Sequence, residues 1–400
     1  MQSFSLRRLA AATGLDTRLL AMAGALVLIA LVFNTLSGGA FLSPRNLWNL
    51  AVQSSMVGIL ATGMVLVIVT RNIDLSVGSV LGAIGMGAAV VQVQILPPDV
   101  WWNTPLTILA AVIFGIIIGA FQGFWVAYRQ VPSFIVTLAG LLVFRGVAWM
   151  VTEGRTVAPM EESFQLLGGG LRGSIGATWS WVLGLLAIAA VVYQLFRARR
   201  RRKTYGFAEK PLWGDLLTGG LWIAAIAGFV LTMNSYNRPG TNIAQGIPIP
   251  VLLLIGTILV METIARTTRF GRYVFAYGGN PEAARLAGID VRKLVLTIFI
   301  IMGILAAVAG ILATARLNAG VNSTGTLAEL SVIAAVVIGG TSLAGGAGSI
   351  AGAILGAVIM QSLENGMVLL GLPSALQQVV IGLVLILAVW ADVVYRRRVA

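Results

Sequence analysis

The sequence predicts an all-α fold: a polytopic transmembrane helix bundle of ten to twelve spans. Three observations carry this. Of 400 residues, 58% are hydrophobic and only 10% are charged, against about 25% charged in a soluble domain. The apolar residues fall in runs that meet the ~20 residues a helix needs to cross a bilayer. The 48 glycines suit close helix packing in lipid. Mean hydropathy is +0.94.

The first five candidate spans are 19–36, 47–70, 75–95, 106–127 and 133–152. The next five are 178–196, 216–234, 248–265, 294–315 and 374–395. Between 329 and 371 the text is apolar but broken by glycine. It reads either as two crossings or as one re-entrant half-helix and a span. The first run lacks a convincing A-x-A cleavage site, so it is expected to stay as a helix. A single transmembrane domain is expected over 1–400, with a basic insertion at about 197–215 and a polar loop at about 266–293.

There is no cysteine and no histidine, which removes disulfides, thiolate catalysis and the usual zinc and haem ligands. No catalytic residue and no metal site are expected. The net charge of +13 reads as loop charge that sets orientation rather than as a nucleic-acid surface. With a cytoplasmic N-terminus and alternating spans, 21 of the 27 basic residues fall in cytoplasmic segments and 5 on the other side, with Arg145 inside a span. The cytoplasmic set includes Arg7, Arg8, Arg71, Arg129, the run Arg197–Lys203, Lys210, Arg266–Lys293 and Arg396–Arg398. Both termini are therefore expected in the cytoplasm. The run "RARRRRK" reads as an anchor to anionic lipid headgroups.

The stretch "GGNPEAARLAGID" is a polar island within 266–293. Asn280 stands as a cap, Pro281 as the first helical residue and Glu282 in the first turn. Ala283, Ala284, Arg285 and Leu286 carry about two turns, and Gly288 stops them. So short a helix is unstable alone in water. Its small residues and modest apolar face favour docking to a soluble partner over lying on lipid.

Other residues are candidates for the pathway or its gating. Asn72, Asp74, Ser76 and Gly78 head the third run. Asp74 either caps that helix, with Ser76 bonding back to the backbone, or marks a broken helix along the pathway. Arg145, Glu364 and Asn365 lie within or near apolar text, where charge is expensive. Arg145 and Glu364 either pair structurally or line a hydrophilic channel. The amides Gln53, Gln122, Gln361, Gln377 and Gln378 read first as helix-to-helix glue. A weak internal echo sets Val67-Ile68 before Gly78-Ser79 against Val337-Ile338 before Gly348-Ser349, an arrangement common in transporters built from repeats.

Three blocks carry a family resemblance: "NIDLSVGSVLGAIG" (72–85), "GGNPEAARLAGIDVRK" (278–293) and "AVVIGGTSLAGGAGSIAGAILGAVIM" (335–360). They resemble, in order, the sugar permeases of ATP-binding cassette importers, the group with ribose, xylose and arabinose/galactose permeases. The basic insertion resembles the xylose-type members. The resemblance implies a homodimeric pathway for a pentose, a periplasmic sugar-binding protein, and a cytoplasmic ATPase coupled through 280–288. It implies a bacterial inner-membrane location. The chain has no G-x-x-x-x-G-K-[ST], so it is expected to bind no cofactor itself, with ATP-Mg held on the ATPase. One departure stands out: Arg71-Asn72 occupy a place where the family favours glycine. The rival expectation is a proton- or sodium-coupled transporter depending on Asp74 or Glu364.

Overall fold

Residues 17–170, 172–206 and 211–397 are described by a computed structural model, with backbone only for 17 and 391–397. Arg7, Arg8, Lys210 and Arg398 of the charge count lie outside the described residues. The helices are α1 (Thr17–Leu36), α2 (Pro44–Val69), α3 (Val77–Val90, extended by a π turn Val91–Ile95), α4 (Asn103–Ala127) and α5 (Ser133–Met150). They continue as α6 (Gly176–Thr204), α7 (Leu212–Asn234), α8 (Ile249–Thr267), α9 (Arg269–Gly279) and α10 (Pro281–Leu286). Last come α11 (Val291–Leu317), α12 (Ala328–Ile338), α13 (Ile350–Leu369) and α14 (Ser374–Arg397). Among the described residues, ten helices are long and apolar enough to cross a membrane, and β structure is confined to isolated bridges.

The segment left open between 329 and 371 is resolved. Helix α12 has 11 residues. At 1.5 Å per residue it reaches about half of a ~30 Å hydrocarbon core. Residues 339–349 are irregular, and α13 then makes a full span of 20 residues. Ser349 caps α13 by accepting from the Gly352 N–H at 3.2 Å.

The chain packs as two compact units. One holds residues up to Asn49 together with Ser174–Pro248. There the Trp48 indole donates to the Gly246 carbonyl at 3.0 Å, and its ring lies 5.5 Å from Tyr236. Helix α6 runs for 29 residues, about 43 Å, which exceeds the membrane core and projects the basic run past it. Arg199 in that run pairs with Asp215 of α7 at 3.4 Å.

The other unit holds Leu50–Gly173 and Ile249–Ala400, with α11 at its centre. Gly115, Gly119 and Gly123 stand at four-residue spacing on α4. A Cβ on Gly115 would collide with the Gly303 carbonyl, and one on Gly119 with the Phe299 carbonyl. Removing three side chains from one face lets the α4 and α11 backbones touch, the small-xxx-small packing that replaces hydrophobic drive in lipid.

The two ends of this unit are distinct. At one end, the Gly346 N–H donates to the Val69 carbonyl at 2.9 Å, and Arg71 bonds Gly278 and Gly279. At the other, Val157 bridges Gly320, and the Met160 N–H donates to Asn318 Oδ1 at 2.9 Å. Helix α11 runs between them. Arg71 and the polar loop thus share one end, while the segments holding Arg155 and Arg316 share the other, as alternating spans require.

Candidate functional site: a fastened surface helix and a broken span

The capping expected of 280–288 is observed. Asn280 Oδ1 accepts from the N–H groups of Glu282 (3.1 Å) and Ala283 (3.0 Å), and Pro281 opens α10. The chain leaves α10 at Gly288, whose φ of +81° is a conformation glycine adopts at little cost. Asp290 then caps α11 through the Lys293 N–H at 3.1 Å. That bond, with the Lys293 ammonium 3.3 Å away, holds the Asp290 carboxyl below the ordinary carboxylate range. Glu282, Ala283, Arg285, Leu286 and Gly288 are exposed, Leu286 at 85% of its surface. Ala284 is only 4% exposed and packs into this chain. The exposed face of α10 therefore excludes Ala284, which the sequence counts among the docking residues.

The helix is fastened to the bundle through the backbone carbonyls that precede it. Arg71 Nε donates to the Gly278 carbonyl and Nη2 to the Gly279 carbonyl, each at 2.9 Å. A Cβ on Gly278 would collide with the Val69 carbonyl. The turn after α2, the start of α10 and the 339–349 segment therefore meet at one point. Arg71 has φ +62°, which explains why glycine suits its place. Arginine bears the left-handed strain here and gains two hydrogen bonds that glycine lacks. Asn72 bonds within its turn, Nδ2 to the Thr70 carbonyl and hydroxyl at 3.2 Å. With Arg285 it lines a cavity of about 590 Å³ beside α10.

The turn 70–76 departs from the simple cap expected. Ser76, not Asp74, holds the position before α3, and its side chain makes no capping bond. Asp74 Oδ1 accepts from both the Ser76 N–H (2.8 Å) and the Ser76 hydroxyl (2.6 Å). Gln122 Nε2 donates to Ser76 Oγ at 2.7 Å, so that amide does join helices. Both Asp74 and Ser76 are buried.

Arg145 and Glu364 do not pair. Arg145 Nη1 donates to the carbonyls of Asn322 and Thr324, each at 2.9 Å. These belong to the irregular stretch before α12, whose carbonyls have no helical partner. A guanidinium supplies the donors that water would supply outside a membrane. Glu364 instead accepts from the Ser331 hydroxyl (2.5 Å) and from Gln361 Nε2 (2.6 Å). Asn365 is buried on the same helix. Gly78 serves a close approach: a Cβ there would collide with Glu329 and the Gly325 carbonyl. One at Gly82 would lie 2.5 Å from the Thr324 carbonyl. Helix α3 thus packs directly on the broken span.

A family model described as "Branched-chain amino acid transport system / permease component" matches residues 46–389. The chain belongs to this permease family. It is 43% identical to the xylose transport system permease protein of Escherichia coli K12 over 386 residues, 96% of this chain and 94% of that one. It is 44% identical to the Haemophilus influenzae protein of the same name over 370 residues, 92% of this chain and 94% of that one. The ribose import permease protein of Escherichia coli K12 is 36% identical over 368 residues, 92% of this chain and 91% of that one. No solved structure gave a significant match.

Three residues of the permease escaped the sequence reading. Glu329 is buried, and its Oε2 has no hydrogen-bond partner among the described residues. The expense of charge in apolar text, which flags Glu364, flags it equally. Arg316, counted as loop charge, is the last basic residue inside α11. Arg71 was visible as a loop charge and as a departure from glycine, but not for its bonds, whose partners lie more than 200 positions away.

Proposed function

We propose that this multi-pass permease is the membrane-spanning subunit of an ATP-driven importer for xylose. It works as a pair of identical chains in a bacterial inner membrane, with both termini cytoplasmic. A periplasmic binding protein delivers the sugar, and a cytoplasmic ATPase holding ATP-Mg docks on α10. The single observation that carries the sugar is 43% identity, over nearly the whole length, to a xylose permease. Coupling through α10 is supported by its exposed face and by its fastening to the α2–α3 turn through Arg71. ATPase closure would pull on Gly278–Gly279, and through Arg71 on the turn that leads into α3. That helix packs on the broken span, so movement at the surface reaches mid-membrane.

The decisive experiment is uptake of labelled xylose into proteoliposomes holding the permease, its ATPase and its binding protein. Uptake that needs all three and ATP supports the proposal; uptake by the permease alone under a proton or sodium gradient overturns it. A cysteine at Ala287 in this cysteine-free chain reports the docking. It is exposed, and the ATPase should shield it from a membrane-impermeant maleimide.

A further inference from the structure

At the end of the second unit opposite α10 lies a cavity of about 530 Å³. Small-ligand pockets range over about 300–1,000 Å³. Its walls come from α2, α3, α11, α13, α14 and the broken span. Irregular backbone at membrane depth persists only where it is buried in protein or lines a cavity. Residues 324–327, held in place through the Arg145 bond to the Thr324 carbonyl, line this one.

The polar groups on its wall are specific. Glu364 receives one hydrogen bond on each oxygen, from Ser331 and Gln361. A carboxylate has about four lone-pair sites, so about half remain free to accept. Arg316 lines the same cavity, and no side-chain partner is found for its guanidinium among the described residues. Gln378 adds an amide that both donates and accepts. Leu60 and Leu81 supply apolar wall. Rigid acceptors, free donors and an apolar face are the combination that a monosaccharide demands, with its hydroxyls at the rim and its C–H groups on the flat of the ring. A cleft that merely admitted acyl chains would not hold an arginine and a glutamate.

We infer that this cavity is a sugar-holding site within the permease, with Glu364 accepting sugar hydroxyl protons and Arg316 donating to sugar oxygens. It rests on the importer reading and deepens it: sugar released into the pathway is bound, and partly selected, by the membrane subunit itself. Ser331 and Gln361 are positioning residues that fix the carboxylate.

The test uses Ser374, which lines the cavity, as the only cysteine (Ser374→Cys), in nanodiscs without ATPase or binding protein. D-xylose should slow maleimide labelling there at least about threefold, whereas sucrose at equal osmolarity should not. An Ala287→Cys control at the opposite end should be unaffected by either. Adding Glu364→Gln should raise the half-protecting xylose concentration roughly tenfold, as expected for losing one charge-assisted hydrogen bond. Should that variant fail to fold, Arg316→Gln should give the same shift. No protection at any xylose concentration, or equal protection by sucrose or at both cysteines, overturns the inference. Uptake by the complete importer without protection would sink the holding site and leave the importer reading standing. Protection without ATP-dependent uptake would do the reverse.

Discussion

Arg71 is the residue whose replacement tests the coupling path most directly. It makes two hydrogen bonds of 2.9 Å to the carbonyls that precede α10. Charge-assisted bonds contribute ~1.5–3 kcal/mol each when shielded; Arg71 is exposed, so about 1 kcal/mol each is the better figure. Arg71→Ala keeps the left-handed strain and loses both bonds, a local destabilisation of about 2 kcal/mol. Arg71→Gly loses the same bonds but escapes ~1 kcal/mol of strain, for a net loss of about 1 kcal/mol. Hydrogen–deuterium exchange at residues 279–289 should therefore accelerate roughly thirtyfold in Arg71→Ala and roughly fivefold in Arg71→Gly. In reconstituted importer, both variants should hydrolyse ATP with weakened dependence on sugar. The two readouts should separate: exchange differs between alanine and glycine, whereas coupling is lost in both because both lack the guanidinium. Wild-type exchange and wild-type coupling in Arg71→Ala would refute the argument.

Three further outcomes follow from the same region. Gly278→Ala should lower thermal stability and transport, because its Cβ meets the Val69 carbonyl, whereas Gly279→Ala has open space and should be close to neutral; equal effects would contradict the packing. Gly288→Val should leave membrane insertion intact but block transport, since φ +81° there costs a β-branched residue more than ~1 kcal/mol with no steric contact to blame. Asp290 is favoured in its ionised form by the fold, so its cap on α11 is fully present at neutral pH and is lost as acid takes the pH down through its lowered pKa. Amide protection at the start of α11 should thus fall only on the acid side, and Asp290→Asn should remove that fall while retaining a cap; a loss of protection near neutral pH would contradict this.

The sequence by itself determined what depends on neighbours along the chain. Nine of the ten spans follow from run length and hydropathy, because a backbone in lipid must satisfy its own hydrogen bonds; the tenth, Ile350–Leu369, lies in the text the sequence left open. The cap at Asn280 and the stop at Gly288 are likewise local: the Asn280 side chain bonds amides two and three positions ahead, and glycine takes the positive φ where the helix ends. The abundance of glycine points to close helix packing in lipid. Tertiary structure decided everything that turns on which distant segments meet. Apolar text makes a charge conspicuous without naming its partner, so Arg145 and Glu364 looked like a pair. The fold gives the arginine to the carbonyls of a broken helix and the glutamate to Ser331 and Gln361. Glycine-broken hydropathy between 329 and 371 could not choose between two spans and a half-helix. That choice depended on whether the bundle would hold the irregular stretch 339–349, and the Val69 carbonyl, far earlier in the chain, does so by accepting from the Gly346 N–H. Ala284 looked like docking surface because helical periodicity shows faces but not what lies beneath them, and the chain itself covers that face.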